Sequence, residues 1–319
     1  MSELNAIQRC LVTGASGFLG GYLLTRLRQE KIFTRVLLRS ESSNALPCDE
    51  TVIGELLPTA CCKTWLDTVD TVFYLVGTAH LSAAPEQYQT DHLAVINMAR
   101  QAAALGVKRF VFVSTTKAAA DPAEKIADEN WDAWPIEPYG YWKRKTEIAL
   151  GELGISQLAI VRPCLMYGAG VKGNLQKMIQ AVERGFFPPL ADIKAQRSMV
   201  FAGDVVEALL LAATQEAANH QPLIVADGES YVVSDLYAAI RAAHDKKPAT
   251  WHIPLPLLKA AGVVGDAVEK LGIHLPVNSG AVKRLTENAM YSSAKLRQLG
   301  WVPSTTFYRE LPNMILAQR

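Results

Sequence analysis

Thr13-Gly14-Ala15-Ser16-Gly17-Phe18-Leu19-Gly20 decides the reading of this 319-residue chain. The apolar run Cys10-Leu11-Val12 just before it reads as a short buried strand. Just after it Phe18, Leu19, Leu23, Leu24 and Leu27 recur at helical spacing. A glycine turn between strand and helix aims backbone N–H groups and the positive helix end at one point, and the missing side chains let a diphosphate approach it. The spacing is Gly-x-x-Gly-x-x-Gly rather than Gly-x-Gly-x-x-Gly, so taken alone the turn also reads as an ordinary tight bend.

Working outward, Val36-Leu37-Leu38, Thr51-Val52-Ile53, 71–76, 110–113 and 158–161 read as further strands, the last ended by Arg162-Pro163. Helices are expected over 88–105, closed by Gly106, and over 139–153, stopped at Gly154. Strands alternating with helices predict an α/β fold of Rossmann type, a doubly wound parallel sheet. After Tyr167 the alternation loosens and Gly and Pro become frequent. The expected organisation is a dinucleotide-binding domain over 1–166 and a smaller mixed substrate-binding lobe over 167–319, with some strands returning to the main sheet. The amphipathic stretch 257–271 is expected to pack its Leu/Val face on that lobe. A membrane-surface or partner-binding helix is the sharper alternative, for which Lys259 and Lys270 are too few cations.

Composition removes several classes of function. The net charge is +1 with both signs mixed along the chain, unlike a nucleic-acid-binding surface. No apolar run approaches the roughly 18 residues of a membrane span, and the N-terminus lacks the basic-then-apolar order of a signal peptide. No membrane insertion and a reducing cytoplasm are expected. Cys10, Cys48, Cys61, Cys62 and Cys164 show no metal spacing, and each is expected to be a buried packing group. His80, His92, His220, His244, His252 and His274 are scattered, so no metal site is expected.

The second strand ends in Arg39-Ser40, where an NAD enzyme usually carries Asp or Glu for the ribose. Arg39 can pair with a 2′-phosphate, which favours NADP over NAD; the plainer reading is a solvated loop charge. Glu55, in Gly54-Glu55-Leu56, is placed to contact the adenine. Tyr139 and Lys143 stand four residues apart and share a helix face. An ammonium there is expected to lower the phenol from its usual pKa of about 10, making a general acid/base. Ser114, Thr115 and Thr116 close the fifth strand at the carboxyl edge, where open parallel sheets bind ligands.

With Thr13-Gly14-x-x-Gly17-x-x-Gly20, Val113-Ser114-Thr115, Pro138-Tyr139-Gly140-x-x-Lys143-x-x-x-Glu147, Arg162-Pro163-x-x-x-Tyr167-Gly168, the stretch 197–204 and Leu299-Gly300-Trp301-x-Pro303, the chain resembles the extended short-chain dehydrogenase/reductase family over nearly its whole length. The resemblance implies Thr115, with Thr116 as second choice, Tyr139 and Lys143 as catalytic residues. It implies a cofactor site of Gly14, Ser16, Gly17, Phe18, Leu19, Gly20, Arg39, Glu55, Leu56, Val76, Gly77, Lys143 and Pro163. Arg197, Asn174 and Arg284 become the expected substrate residues, with Arg197 gripping a diphosphate by its bidentate fork. Cys164 follows Arg162-Pro163 beside the nicotinamide and is expected to pack. A homodimer through the helices at 88–105 and 139–153 is also implied.

Three departures bear on the substrate. Trp142 replaces the Ser or Thr usual before the Lys, Lys117-Ala118-Ala119-Ala120 replaces Val-Tyr-Gly, and Asp91 or His92 stands for an Asn. Thr116-Lys117 lacks the Asp-Glu pair that eliminates water in the family's dehydratases, which leaves C4 epimerisation or reduction of a 4-keto sugar. The likeness is greatest to bacterial UDP-sugar 4-epimerases and 4-ketoreductases of surface-polysaccharide synthesis, acting on a nucleotide-sugar substrate. Two alternatives are an NADP(H) ketoreductase for a hydrophobic non-sugar ketone and a catalytically silent dinucleotide-binding sensor.

Overall fold

Apolar runs bounded by turns become strands, and runs with helical periodicity become helices. The computed structural model describes residues 3–41, 45–78, 83–122, 125–185, 193–249, 251–269 and 277–318. Its strands are β1 (Arg9–Thr13), β2 (Phe33–Leu38), β3 (Glu50–Ile53), β4 (Thr71–Tyr74), β5 (Arg109–Val113), β6 (Ile126–Ala127), β7 (Gln157–Pro163), β8 (Leu165–Tyr167), β9 (Gln196–Arg197), β10 (Met199–Phe201), β11 (Gln221–Val225), β12 (Tyr231–Val232) and β13 (Met290–Tyr291). Its helices are α1 (Phe18–Gln29), α2 (Lys63–Leu66), α3 (Pro85–Ala104), α4 (Pro138–Gly151), α5 (Asn174–Glu183), α6 (Ala202–Thr214), α7 (Val233–Ala243), α8 (Leu255–Glu269), α9 (Ser279–Thr286), α10 (Ala294–Gln298) and α11 (Phe307–Leu316).

Seven strands form one parallel sheet in the order β11-β7-β5-β4-β1-β2-β3. The chain leaves β1 in one direction for β2 and returns past β1 to β4. The glycine turn therefore sits at the switch point of the sheet, outside the carboxyl ends of its strands. Alternate residues of each strand feed opposite faces: Cys10 and Val12 pack with Leu23, Leu24 and Leu27 of α1 and with Val205 and Leu209 of α6. Leu11 packs on the other face with Val95, Met98 and Ala99 of α3 and Leu150 of α4. A third core gathers Tyr167, Leu175, Ile179, Tyr231, Leu236, Ile240 and Phe307, from beyond Pro163.

Several elements differ from their sequence reading. β4 stops at Tyr74 because the Leu75 N–H leaves the ladder and donates to Thr13 Oγ1 at 3.2 Å. α3 begins at Pro85, which has no N–H to lose in a first turn. β7 runs through Arg162 and Pro163 rather than ending before them, because β11 pairs there, Val225 opposite Pro163. β11 itself was not picked out as a strand.

α8 is also a correction. It buries Leu258, Gly262 and Gly265, while Leu257, Val263 and Val264 are 62%, 64% and 59% exposed, so the Leu/Val face is not what packs. Its cation Lys270 lies outside the described residues. No helix among the described residues is long and apolar enough to cross a membrane. All five cysteines are free, and Cys61 is exposed, against the expectation that each would be buried. Among the described residues no group of three His, Cys, Asp or Glu could hold a metal; His80 and His274 lie outside them.

Candidate active site

The three glycines of the turn answer three different constraints. Gly14 has φ +73°, a left-handed backbone, and a Cβ on it would stand 3.2 Å from Val76 Cγ2. A Cβ on Gly17 would stand 3.0 Å from the Gly14 carbonyl oxygen, which accepts the Gly17 N–H at 2.9 Å. A Cβ on Gly20 would stand 2.3 Å from that same oxygen. Gly17 caps α1 without a side-chain hydrogen bond, so the cap residue itself occupies none of the first N–H groups of the helix. This is a cradle for an anion at the N-terminus of a 12-residue helix, and the dinucleotide's diphosphate fits it. Ser16 and Phe18 line a cleft beside the turn, while Leu19 is buried beneath it.

Tyr139 lies in the first turn of α4, against the carboxyl end of β5. Its phenol faces the Thr115 hydroxyl, which favours the phenolate, and its ring centroid is 6.2 Å from that of Tyr88. Thr115 Oγ1 also accepts the Lys117 N–H at 3.2 Å. Thr116 instead reaches Tyr291, so the strand-end hydroxyl beside Tyr139 is that of Thr115. Lys143 Nζ donates to the Val113 carbonyl at 2.9 Å and stands 4.6 Å from the Phe112 ring centroid. A Cβ on Gly77 would come within 3.0 Å of this ammonium, so a glycine keeps its approach open.

The expected lowering of the Tyr139 phenol is not found. Burial pushes it up to about 12, the nearby Thr115 hydroxyl opposes this, and the Tyr88 phenol adds to the rise. Lys143 is itself pulled down to about 8 by burial, against the favourable charges of Asp91 and Glu147. The sequence placed both groups on one helix face but said nothing of how dry that face is.

Around these two residues lies a narrow, half-open cavity. It is lined by Val76, Gly77, Asp91, His92, Tyr139 and Lys143, with Trp142 and Thr146 at its wall. Asp91 accepts the Thr78 N–H at 2.7 Å and faces Lys143. His92 lies 2.9 Å from Thr146 Oγ1 and 5.4 Å, centroid to centroid, from Trp142. Of the two candidates for the family's Asn, Asp91 is thus the one near Lys143. Behind the cavity a buried network holds α4 on the sheet: Arg162 Nε donates to Glu147 Oε1 at 2.9 Å, and Ser114 Oγ donates to the same oxygen at 2.5 Å. The sequence reading singled out both Glu147 and Arg162 but not their pairing.

On the substrate side, Arg197 in β9 donates to the Glu287 carbonyl at 3.4 Å. Burial lowers the Arg197 guanidinium, Asp121 and Tyr291 oppose that, the charge of Arg284 adds to the lowering and that of Glu287 opposes it. Tyr291 donates to Asp121 Oδ1 at 2.6 Å, and Lys117 pairs with Asp121, a cluster absent from the sequence reading. Asn174 is exposed at the first position of α5. Arg39 is exposed just past β2, Glu55 is exposed just past β3, and Leu56 packs against the α3 side of the sheet. Pro163 is buried at the end of β7. Cys164 is buried, its thiol pushed well up by desolvation, in keeping with a packing role.

A Rossmann sheet with its glycine cradle at the switch point, and a Thr–Tyr–Lys set at the same edge, defines a nicotinamide-dependent oxidoreductase or epimerase of the extended short-chain type. The chain belongs to the NAD-dependent epimerase/dehydratase family, whose sequence model matches residues 10–233. It is 25% identical to the UDP-glucose 4-epimerase of Vibrio cholerae, over 93% of this chain and 91% of that one. It is 26% identical to the N-acetyl-alpha-D-glucosaminyl-diphospho-ditrans,octacis-undecaprenol 4-epimerase of Escherichia coli O157:H7, over 94% and 92%. Its fold superposes on UDP-glucose 4-epimerase of Thermotoga maritima, solved with UDP-glucose, with a TM-score of 0.75 at 20% identity over 98% and 99% of the two chains.

Proposed function

We propose that this enzyme moves a hydride at C4 of a diphosphate-linked sugar, as a 4-epimerase or a 4-ketoreductase, with Tyr139 as the acid/base. The observation that carries the reading is that Thr115, Tyr139 and Lys143 meet at one sheet edge, with Lys143 Nζ donating to the Val113 carbonyl at 2.9 Å at the end of β5. Two relatives that share nearly the full length are 4-epimerases, one of UDP-glucose and one of a lipid diphosphate sugar.

The residues assign themselves to parts of one reaction. The turn from Gly14 to Gly20 holds the dinucleotide diphosphate, Glu55 and Leu56 border its adenine, and Val76, Gly77 and Pro163 border its nicotinamide. Lys143 binds the adjoining ribose. Arg39, exposed at the end of β2, supports a 2′-phosphate contact and thus NADP alongside NAD. Bound there, the nicotinamide supplies the hydride acceptor or donor and, when oxidised, a positive charge. Thr115 orients the C4 oxygen. Tyr139 accepts the C4 hydroxyl proton as the hydride leaves and returns it in the reverse step. With Lys143 already in place the phenol stands near 12, so action as a base at neutral pH needs a further positive charge, which the oxidised nicotinamide would supply beside it. Arg197 and Arg284 grip the diphosphate, and Asn174 borders the sugar side. The exposed Leu93 of α3 and Ile148 of α4 support a homodimer through those helices.

Tyr139→Phe tests the mechanism. Turnover of UDP-hexoses or their 4-keto forms is expected to fall about 10²-fold or more, with NAD(P)H affinity kept within about twofold by fluorescence titration. Arg197→Ala is expected to raise KM for UDP-sugars about tenfold or more. If Arg197→Ala leaves that KM unchanged, the diphosphate reading fails and the hydrophobic-ketone reading takes its place.

A further inference from the structure

Apart from Lys259, Asp266 and Glu269, helix α8 is built of apolar residues, glycines and one proline, and only one stripe of it is covered. Leu258, Gly262 and Gly265 form the buried stripe. The two glycines let α8 lie directly on the entry to α9: a Cβ on Gly265 would stand 1.9 Å from the Val277 carbonyl oxygen, and one on Gly262 3.2 Å from Ser279 Cα. The opposite face, by helical spacing, is Leu257, Ala260, Ala261, Val264 and Ala267 with Val263 at its side, all exposed. A contiguous apolar face left exposed on a surface helix marks a contact surface.

We propose that the exposed face of α8 docks on an anionic lipid surface, where the enzyme meets a diphosphate-linked sugar carried on a lipid. The substrate half of this inference rests on the function proposed above; the docking half stands on α8 alone.

Charge and composition favour lipid over a protein partner. The acids of α8 are turned inward: Asp266 accepts the Ser279 N–H at 3.0 Å, and Glu269 accepts from Asn278 Nδ2 at 3.4 Å. Lys259 is exposed at the margin of the apolar face, where its stem can lie along lipid tails while the ammonium reaches phosphate. Lys247 is exposed just ahead of the helix, and Trp251 is 60% exposed at its entry, the residue type that settles at a membrane interface. The face itself is Leu, Val and Ala, without the Tyr, Met and Arg anchors of protein interface cores.

Flotation of the full-length protein with vesicles of phosphatidylethanolamine and phosphatidylglycerol is the test. The wild type is expected to float with these vesicles and much less with phosphatidylcholine alone. The double variant Leu257→Glu/Val264→Glu, with both changes on the exposed face, is expected to lose flotation about tenfold or more at unchanged Tm and unchanged NAD(P)H affinity. It is also expected to keep turnover of soluble UDP-sugars while losing turnover of a vesicle-borne polyprenyl-diphosphate sugar. Wild-type protein that stays unbound overturns docking, as does a double variant that floats like wild type. A double variant that changes only the oligomeric state, read by light scattering, makes α8 a contact between copies and also overturns it. Intact flotation without turnover of either substrate overturns the proposed function and leaves docking standing.

Discussion

Gly20 and Gly21 are neighbours in α1 with opposite demands. A methyl on Gly20 would meet the Gly14 carbonyl oxygen at 2.3 Å, a backbone atom that cannot move without opening the cradle, whereas a methyl on Gly21 meets nothing within 4 Å. Gly20→Ala is therefore expected to lower Tm and weaken NAD(P)H binding about tenfold or more, since the cradle supplies the diphosphate contacts. Gly21→Ala is expected to raise stability by about 0.5–1 kcal/mol. Thermal melts and fluorescence titration of both variants check the contrast. Lys143 carries a pH prediction. Its folded pKa of about 8 lies below the ordinary lysine value of 10.5, so between those pH values the unfolded chain binds more protons than the folded one. Its contribution to stability is most unfavourable below pH 8 and eases as pH rises toward 10.5. Lys143→Met is expected to abolish turnover yet raise Tm near neutral pH, by about 2 °C, with the gain shrinking at higher pH. A gain in Tm that does not depend on pH would remove the buried-charge explanation. Spacing made the identity of both site residues legible, since four residues on a helix is one face. The direction of the Tyr139 shift was not legible, because desolvation comes from Tyr88 and the walls of the cavity, on elements distant in sequence.

At the scale of elements, α4 is the part whose placement matters most, because it carries Tyr139 and Lys143 together. Glu147 and Arg162 are 5% and 1% exposed and tie α4 to β7, while Ser114 ties the same carboxylate to the end of β5. Replacing Glu147 by Leu leaves the Arg162 guanidinium buried with its main partner gone, and is expected to cost about 3–5 kcal/mol. Urea or thermal denaturation reads that loss. Glu147→Leu combined with Arg162→Met is expected to recover a large share of it, because the charge then goes with its partner. If the double variant is as unstable as the single one, the pair is not what holds α4 in place. Glu147 and Arg162 were both visible as motif residues, and their partnership was not. Periodicity reports which residues share a face within one element; it carries no information on which strand lies behind a helix. The same limit explains α8. Its amphipathic appearance predicted one packed face, yet glycines, not leucines, supply the close contact with α9.

For the whole molecule, the first half was legible because strict alternation of buried strands and helices admits one parallel arrangement, with the glycine turn at its switch point. The edge strand β11 escaped because Gln221 and Pro222 break its apolar run, and its place beside β7 is a long-range pairing. The third core, around Tyr167, Tyr231 and Phe307, draws on short strands and helices far apart in the chain, for which local pattern is a poor guide. Arg197 and Arg284 belong to that half, 87 residues apart in the sequence, and the fold brings them within mutual influence. The account stands on hydride movement at one sugar carbon under the control of Tyr139. UDP-hexoses carrying deuterium at C4 put that directly to test, with the recovered sugar and nicotinamide read by mass spectrometry. The wild type is predicted to move the C4 deuterium to the nicotinamide or back onto the inverted sugar, and Tyr139→Phe to leave it in place. Deuterium that stays on the sugar in the wild type, or that moves equally well in Tyr139→Phe, would contradict the account.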